Sequence, residues 1–223
     1  MTPGKPAFCA LGGAALQLYP EGAALVASEA TLIVADLHLE KASAFAAQGQ
    51  MLPPYETLET LQRLDRLVRA LTPKRLVMLG DSFHSPVHAI DATSPSRRLI
   101  DGLGQMVDLV WVSGNHDPHL PVAVPGIFVA EWRIGPLVLR HEPADDGRNE
   151  VVGHLHPASR LATRGGSQKK KCFVLSPRRL LMPAFGTLTG GVEVTRPDIA
   201  RWFREPGCHA FLLGRGALHQ IPL

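Results

Sequence analysis

Five short stretches of this chain carry residues able to do chemistry, and each sits at the end of an apolar run. They are Asp36-Leu37-His38, Gly80-Asp81, Gly114-Asn115-His116-Asp117, Arg140-His141 and Gly153-His154-Leu155-His156. The inventory is carboxylate, amide and imidazole with no thiolate, which suits manganese, iron or zinc ions and does not suit a cysteine zinc site. In extended backbone, residues i and i+2 point to the same side. Asp36 with His38, and His154 with His156, are therefore expected to face one common point. Two Asp (36, 81), one Asn (115) and four His (38, 141, 154, 156) make seven ligands without counting His116. That is too many for one catalytic ion, which keeps an open position. It fits two ions sharing a carboxylate. Two metals roughly 3.5–4 Å apart form a known clamp for phosphoryl chemistry, polarising the phosphate and turning a water between them into hydroxide near neutral pH. His116, beside Asn115, is placed to protonate a leaving oxygen. Asp117 reads as a structural turn acid.

The elements that must position these residues read as α/β. Residues 31–35 and 75–79, and the run 109–112, are short apolar strands. A short helix is expected over 42–47, closed by Gly49. A longer one carries Leu58, Leu61, Leu64, Val68 and Leu71 on one face and stops at Pro73. A third is expected over 94–106, with Ser94 or Ser96 as its cap. Strand–helix–strand–helix–strand is the pattern of a parallel sheet, and ligand chemistry in such sheets sits at the carboxyl edge. Residues 14–27 read as a hairpin about Tyr19-Pro20-Glu21-Gly22. The second half predicts short strands at 127–133, 137–140, 150–152, 173–175 and 211–213 with little helix, hence a second sheet packed on the first. The stretch Gly165-Gly166-Ser167-Gln168-Lys169-Lys170-Lys171 reads as an exposed turn.

With 223 residues, 45% of them hydrophobic and 19% charged, the chain can bury one sizeable core. A single domain over 1–223 is expected, with residues 1–6 loose. A formal charge of +3 names no partner. Three cysteines, Cys9, Cys172 and Cys208, are an odd count without CxxC spacing, as expected of a reducing cytoplasm. Cys172 reads as a small core hydrophobe. His88, His119, His209 and His219 read as surface or core histidines without a role. No run of apolar residues is long enough for a membrane span, and the first residues lack the build of a signal peptide.

The five motifs, in this order, resemble those of the calcineurin-like metallophosphoesterase superfamily. The resemblance implies a two-sheet α/β/β/α sandwich with a dinuclear site at the carboxyl ends of the strands. It implies one metal held by Asp36, His38, Asp81 and His156 and a second held by Asp81, Asn115, His141 and His154, with His116 as general acid. Manganese is the first expectation for both ions, iron or zinc the next. Asp36-Leu37-His38-Leu39-Glu40-Lys41, Leu52-Pro53-Pro54-Tyr55, Gly80-Asp81-Ser82-Phe83-His84, Met182-Pro183-Ala184-Phe185-Gly186 and Gly190-Gly191 resemble one bacterial branch, the ligase-associated DNA-damage-response endonucleases. That branch implies a DNA substrate, a repair context and association with DNA ligase and helicase proteins.

One departure separates this chain from many family phosphatases, which carry an acid three residues after the bridging Asp, followed by Arg. Here those positions are His84 and Ser85. A phosphodiester, with one charge fewer than a monoester, is the expected substrate, and His84 either orients His116 or contacts phosphate. Arg160, Arg164, Lys169, Lys170, Lys171, Arg178 and Arg179 follow one another with no acid between them. They read either as a solvated hairpin tip or as a sequence-independent contact to a phosphate backbone, through Arg160, Lys169, Lys170 and Lys171. The function expected is a metal-dependent phosphodiesterase acting on DNA. Its alternatives are a phosphoesterase for nucleotides or lipid head groups, and a non-catalytic scaffold on the same fold.

Overall fold

The computed structural model describes residues 2–53, 55–84, 90, 92–119, 124–163 and 166–223; Pro54, Ser85, His88, Arg164 and Gly165 lie outside them. The first half contributes β1 (Ala7–Leu11), β2 (Ala14–Tyr19), β3 (Ala23–Val26), β4 (Thr31–Ala35), α1 (Lys41–Ala46), α2 (Glu56–Leu71), β5 (Arg75–Leu79), α3 (Pro95–Met106), β6 (Asp108–Val112) and β7 (Ile127–Val129). Its strands form one sheet in the order β1-β2-β3-β4-β5-β6-β7. β1 to β4 pair antiparallel, and β4 to β7 pair parallel.

The three central strands are buried on both faces, and their alternation divides the core. Ile33, Ala35, Val77, Leu79, Val110 and Val112 point inward, toward the second sheet. Leu32, Val34, Leu76, Met78, Leu109 and Trp111 point to the other side, against Leu61, Leu64 and Val68 of α2 and Ile100 and Leu103 of α3. α2 ends at Thr72, which is left-handed (φ 45°) and donates its N–H to Val68 O, just before Pro73. Of the two candidate caps for α3, Ser94 serves: its Oγ accepts from Arg97 N at 3.1 Å, while Ser96 lies buried inside the helix.

The second half contributes β8 (Trp132–Ile134), β9 (Leu137–Arg140), β10 (Asn149–Val152), β11 (Pro157–Thr163), β12 (Gly166–Leu175), β13 (Arg179–Leu181), β14 (Val192–Glu193), α4 (Pro197–Ala200), β15 (His209–Leu213) and β16 (Leu218–Pro222). They form the second sheet, in the order β14-β11-β12-β13-β10-β9-β8, with β15 and β16 added beside β12. Ile134, Leu137, Leu139, Val151, Phe173, Leu180, Met182 and Phe211 meet the inner face of the first sheet. Val152, Cys172, Val174, Leu181 and Ile199 fill the outer side under α4. The molecule is thus an α/β sandwich of two sheets with helices outside, as expected.

Two secondary-structure expectations need correction. The run 127–133 is not one strand. It breaks at Ala130-Glu131, so that β7 pairs with β6 in the first sheet and β8 with β9 in the second. The apolar pattern continues across a step from one sheet to the other, which periodicity cannot register. The basic stretch 165–171 is not a free turn: residues 166–171 are strand, paired antiparallel with 158–163. Lysine is a poor strand former by composition, but the backbone pairing to β11 holds it extended. The first residues are also tethered: Gly4 N donates to Glu21 Oε1 at 2.8 Å and Lys5 N to Gly216 O at 2.9 Å. Among the described residues no helix is long and apolar enough to cross a membrane.

Candidate metal centre

Register brings the motifs together. Ala35 pairs with Leu79 and Leu79 with Val112, so β4, β5 and β6 end level. Arg140 pairs with Val152 in the second sheet. The residues that follow these ends are Asp36, Gly80-Asp81, Ser113-Gly114-Asn115, His141 and Gly153-His154. All converge at one edge of the sandwich.

Three groups of side chains there have ligand atoms close enough to share an ion: Asp36 with His38 and His156; His38 with Asp81 and His116; Asp81 with His141 and His154. The separations are those of ligands around a common centre. His38 Nε2 lies 3.2 Å from His156 Nε2, and His156 Nε2 lies 3.4 Å from Asp36 Oδ1. On the other side, Asn115 Oδ1 lies 3.0 Å from His141 Nε2 and 2.9 Å from His154 Nδ1, and those two nitrogens are 3.2 Å apart. Bonds of roughly 2.0–2.2 Å to a four- or six-coordinate ion require ligand edges of about 2.9–3.5 Å. Asp81 lies between the two sets, with Oδ2 3.8 Å from His38 Nε2 and Oδ1 3.4 Å from His141 Nε2. The donor set and its spacing fit metal ions.

Electrostatics point the same way. Asp36 is 0% exposed and Asp81 2%, and buried carboxylates need a counter-charge. Burial would raise the Asp81 carboxyl, but the His141 hydrogen bond and charge pull it down to about 2. Burial would lower His141, but Asp81 and Asp36 lift it to about 9. The carboxylates thus favour positive charge at His141, and a bound metal ion would take the place of the ring proton there. Burial pushes His38 down to about 3, keeping its ring neutral and its lone pair available. His141 Nδ1 lies 3.0 Å from Leu79 O, which fixes the ring and leaves Nε2 facing the site.

The backbone that delivers these groups is unusual. Asp36, His38, Glu40, Asp81, His154 and His156 all have φ between 44° and 69°. Non-glycine residues in this left-handed region cost about 1–3 kcal/mol each and persist where surrounding contacts over-determine them. This corrects the reason for the i, i+2 pairing. Asp36 and His38 do face one point, but as left-handed residues flanking Leu37, not as alternating strand positions. His154 and His156, related in the same way, belong to different groups. Close approach requires glycine at Gly80 and Gly114 among other positions. A Cβ at Gly80 would fall 2.4 Å from His141 Nδ1, and one at Gly114 would fall 2.2 Å from Asp81 N.

Asp117 holds this arrangement from below. Its buried carboxylate accepts from Asp81 N (2.9 Å), Ser82 N (2.7 Å), Phe83 N (3.1 Å) and Gly114 N (3.0 Å), tying the end of β5 to that of β6. Burial pushes its carboxyl up to about 6, against the pull of those N–H groups. His116 is exposed, and its backbone N–H donates to Asp81 Oδ1 at 2.9 Å. Its ring stacks on His84 with centroids 5.2 Å apart and meets the edge of His38 at 5.3 Å.

The basic segment divides three ways. Lys171 is no surface contact: its ammonium donates to Ala184 O (2.9 Å), Gly186 O (2.8 Å) and Thr189 Oγ1 (2.8 Å), using all three protons. That corrects its expected role in binding substrate. Arg160 and Lys169 are exposed and opposite one another across β11 and β12; Lys170 lies on the alternate face, opposite Ser159. Arg178 lies in the β12–β13 turn and Arg179 opens β13. Sequence patterning gives no sign of the ring formed by Lys171 and the 184–189 loop. That loop supports β4 directly, through Phe185 N to Ala35 O at 2.8 Å and Gly186 N to Asp36 O at 3.1 Å.

No protein-family profile matches the chain. No curated protein matches it either. Among solved structures it is similar to the nuclease MPE of Pseudomonas putida, seen in a crystal structure, at 28% identity and a TM-score of 0.70. The similarity covers 97% of this chain and 100% of that one. The likeness and the His/Asp clusters are consistent with a metallophosphoesterase-type nuclease fold able to hold metal ions.

Proposed function

We propose that this protein is a dinuclear-metal phosphodiesterase that cuts nucleic acid, DNA foremost. The observation that carries the reading is Asp81, a buried carboxylate presenting one oxygen to each of two imidazole-rich groups. The likeness to a nuclease over nearly the whole chain supports the substrate class. Asp36, His38, Asp81 and His156 would hold one ion, and Asp81, Asn115, His141 and His154 the other; manganese suits this set, as do iron and zinc. When bound, such ions supply Lewis-acid polarisation of the phosphoryl oxygens and activation of water.

The rest falls to the side chains. His116, on the exposed rim, donates a ring proton to the leaving oxygen. His84 stacks against it and holds its plane, where an acid would add a charge unsuited to a diester. Arg160 and Lys169, paired across the hairpin, grip the backbone through charge. Like charges placed opposite each other on a sheet are unfavourable, and an anion between them relieves the cost. Arg160 shares one carboxylate, Glu193, at 3.3 Å. The exposed Asn115 and His116 favour a polymer over a small metabolite enclosed in a pocket.

A substrate panel with added manganese tests this: bis-p-nitrophenyl phosphate, p-nitrophenyl phosphate, and single- and double-stranded DNA. Turnover of the diester and of DNA above that of the monoester is expected. Preference for the monoester, with DNA untouched, would move the assignment to a small-molecule phosphoesterase.

A further inference from the structure

The sequence places Arg178 and Arg179 in one basic run with the hairpin, but the structure sends them elsewhere. They line a cavity of about 440 Å³, together with Arg148, Arg201, Arg204 and Trp202. Five guanidinium groups face two carboxylates in its wall, Asp145 and Glu205.

The arginines are not equivalent. Arg179 is spent on structure: it pairs with the buried Glu150 and donates to Ala144 O at 2.9 Å. Arg148 is held by Asp146 and Glu131. Arg178 is exposed and, among the described residues, has one ion-pair partner, Glu205, at 3.2 Å. Arg201 and Arg204 are exposed and make no ion pair among the described residues. Trp202 organises the wall. Arg179 lies over its ring at 4.5 Å and Arg201 at 4.9 Å, so the indole holds the Arg201 plane in place. The indole N–H is itself buried without a partner.

The loop that follows His141 also reaches the cavity. Ala144 and Asp145 line it, and His141 stands three residues before Ala144. At most about 11 Å therefore separates the Cα atoms of His141 and Ala144, a residue of the cavity wall. Arg140, next to His141, grips the same Glu150 that Arg179 grips. Planar guanidinium forks left unpaired on a rigid wall are the donors that match phosphate oxygens.

We propose that this arginine–tryptophan cleft is a second phosphate-binding site, receiving the backbone of a nucleic-acid strand as it leaves the metal centre past the 142–145 loop. The proposal rests on the nucleic-acid reading of the metal site, and its test is separable from it. Binding of a fluorescein-labelled single-stranded oligonucleotide is measured by anisotropy in EDTA, where no cleavage is required, over a range of salt. The double variant R201A/R204A should weaken binding about tenfold and lower the salt slope by about one to two. It should leave turnover of bis-p-nitrophenyl phosphate unchanged. A second double variant, R66A/R98A, removes the same charge elsewhere on the surface and should change little. Unaltered affinity and slope in R201A/R204A, or an equal loss in R66A/R98A, would overturn the cleft. Cleft-dependent binding by a protein that never cuts DNA would instead sink the nuclease reading and leave the cleft standing.

Discussion

Asp81 is the residue through which both halves of the centre communicate, because each of its oxygens faces a different imidazole. Asp81→Asn keeps the size and removes the charge. It is expected to lose at least one equivalent of metal and to lower diester turnover about 100-fold or more; metal analysis beside kinetics reads both, and full turnover would end the assignment. His116 touches this centre only from the rim. His116→Ala should leave metal content intact and slow hydrolysis of poor leaving groups about 10²–10⁴-fold, sparing nitrophenolate. Equal rates on DNA for variant and parent would remove the ring from the reaction. At this scale the sequence is unusually legible in residue type and illegible in conformation. Asp36, His38, His154 and His156 can be singled out from their spacing, since strand ends deliver polar groups to one edge. Their left-handed backbone cannot, since φ above zero is rare outside glycine and no local signal marks it.

At the scale of elements, the centre depends on the strands being held level. The first sheet does this through its own pairing, and the end of β4 gains a second support from the 184–189 loop, anchored by Lys171. Lys171→Met would leave two carbonyls and a hydroxyl without their donor. A loss of about 2–3 kcal/mol is expected, a fall in melting temperature of roughly 5–10 °C for a domain of this size. Diester turnover should fall as Asp36 loosens, and DNA affinity should not follow the pattern of Arg160 or Lys169 variants. β4, β5 and β6 are readable because strands buried on both faces are uninterrupted apolar runs. β11, β13, β14 and β16 are not: they are short or polar, and pairing with their neighbours in the sheet defines them as strands. Lys171 escapes for a related reason, since one inward lysine among three looks like its exposed neighbours until the opposite strand fixes its side.

Over the whole molecule, two buried carboxylates and a ring of imidazoles meet where the sheets close, and the protein carries the electrostatic cost of holding them together. Metal that binds only the folded state offsets it. Manganese at about a hundred times its dissociation constant should add about 2.7 kcal/mol, raising the melting temperature by roughly 5–10 °C over protein dialysed against EDTA. Differential scanning calorimetry measures the shift, and no change with manganese, iron or zinc would contradict a metal centre at this edge. The layered α/β architecture follows from hydrophobic order along the chain; which residues of the second half support the first does not, because those contacts join positions more than a hundred residues apart.

The step between β7 and β8 at Ala130-Glu131 divides more than the sheets. Asp36, His38, Asp81, Asn115 and His116 lie before it, and His141, His154 and His156 lie after it. Each half therefore keeps an incomplete set of ligands and an inner face of bare Ile, Val, Leu and Phe that only the other half can cover. The proposed activity therefore needs both halves. A chain emerging only partly, or one cleaved at the step, carries no competent centre, and destabilising variants should lose activity in proportion to the unfolded fraction without passing through a loosely active form.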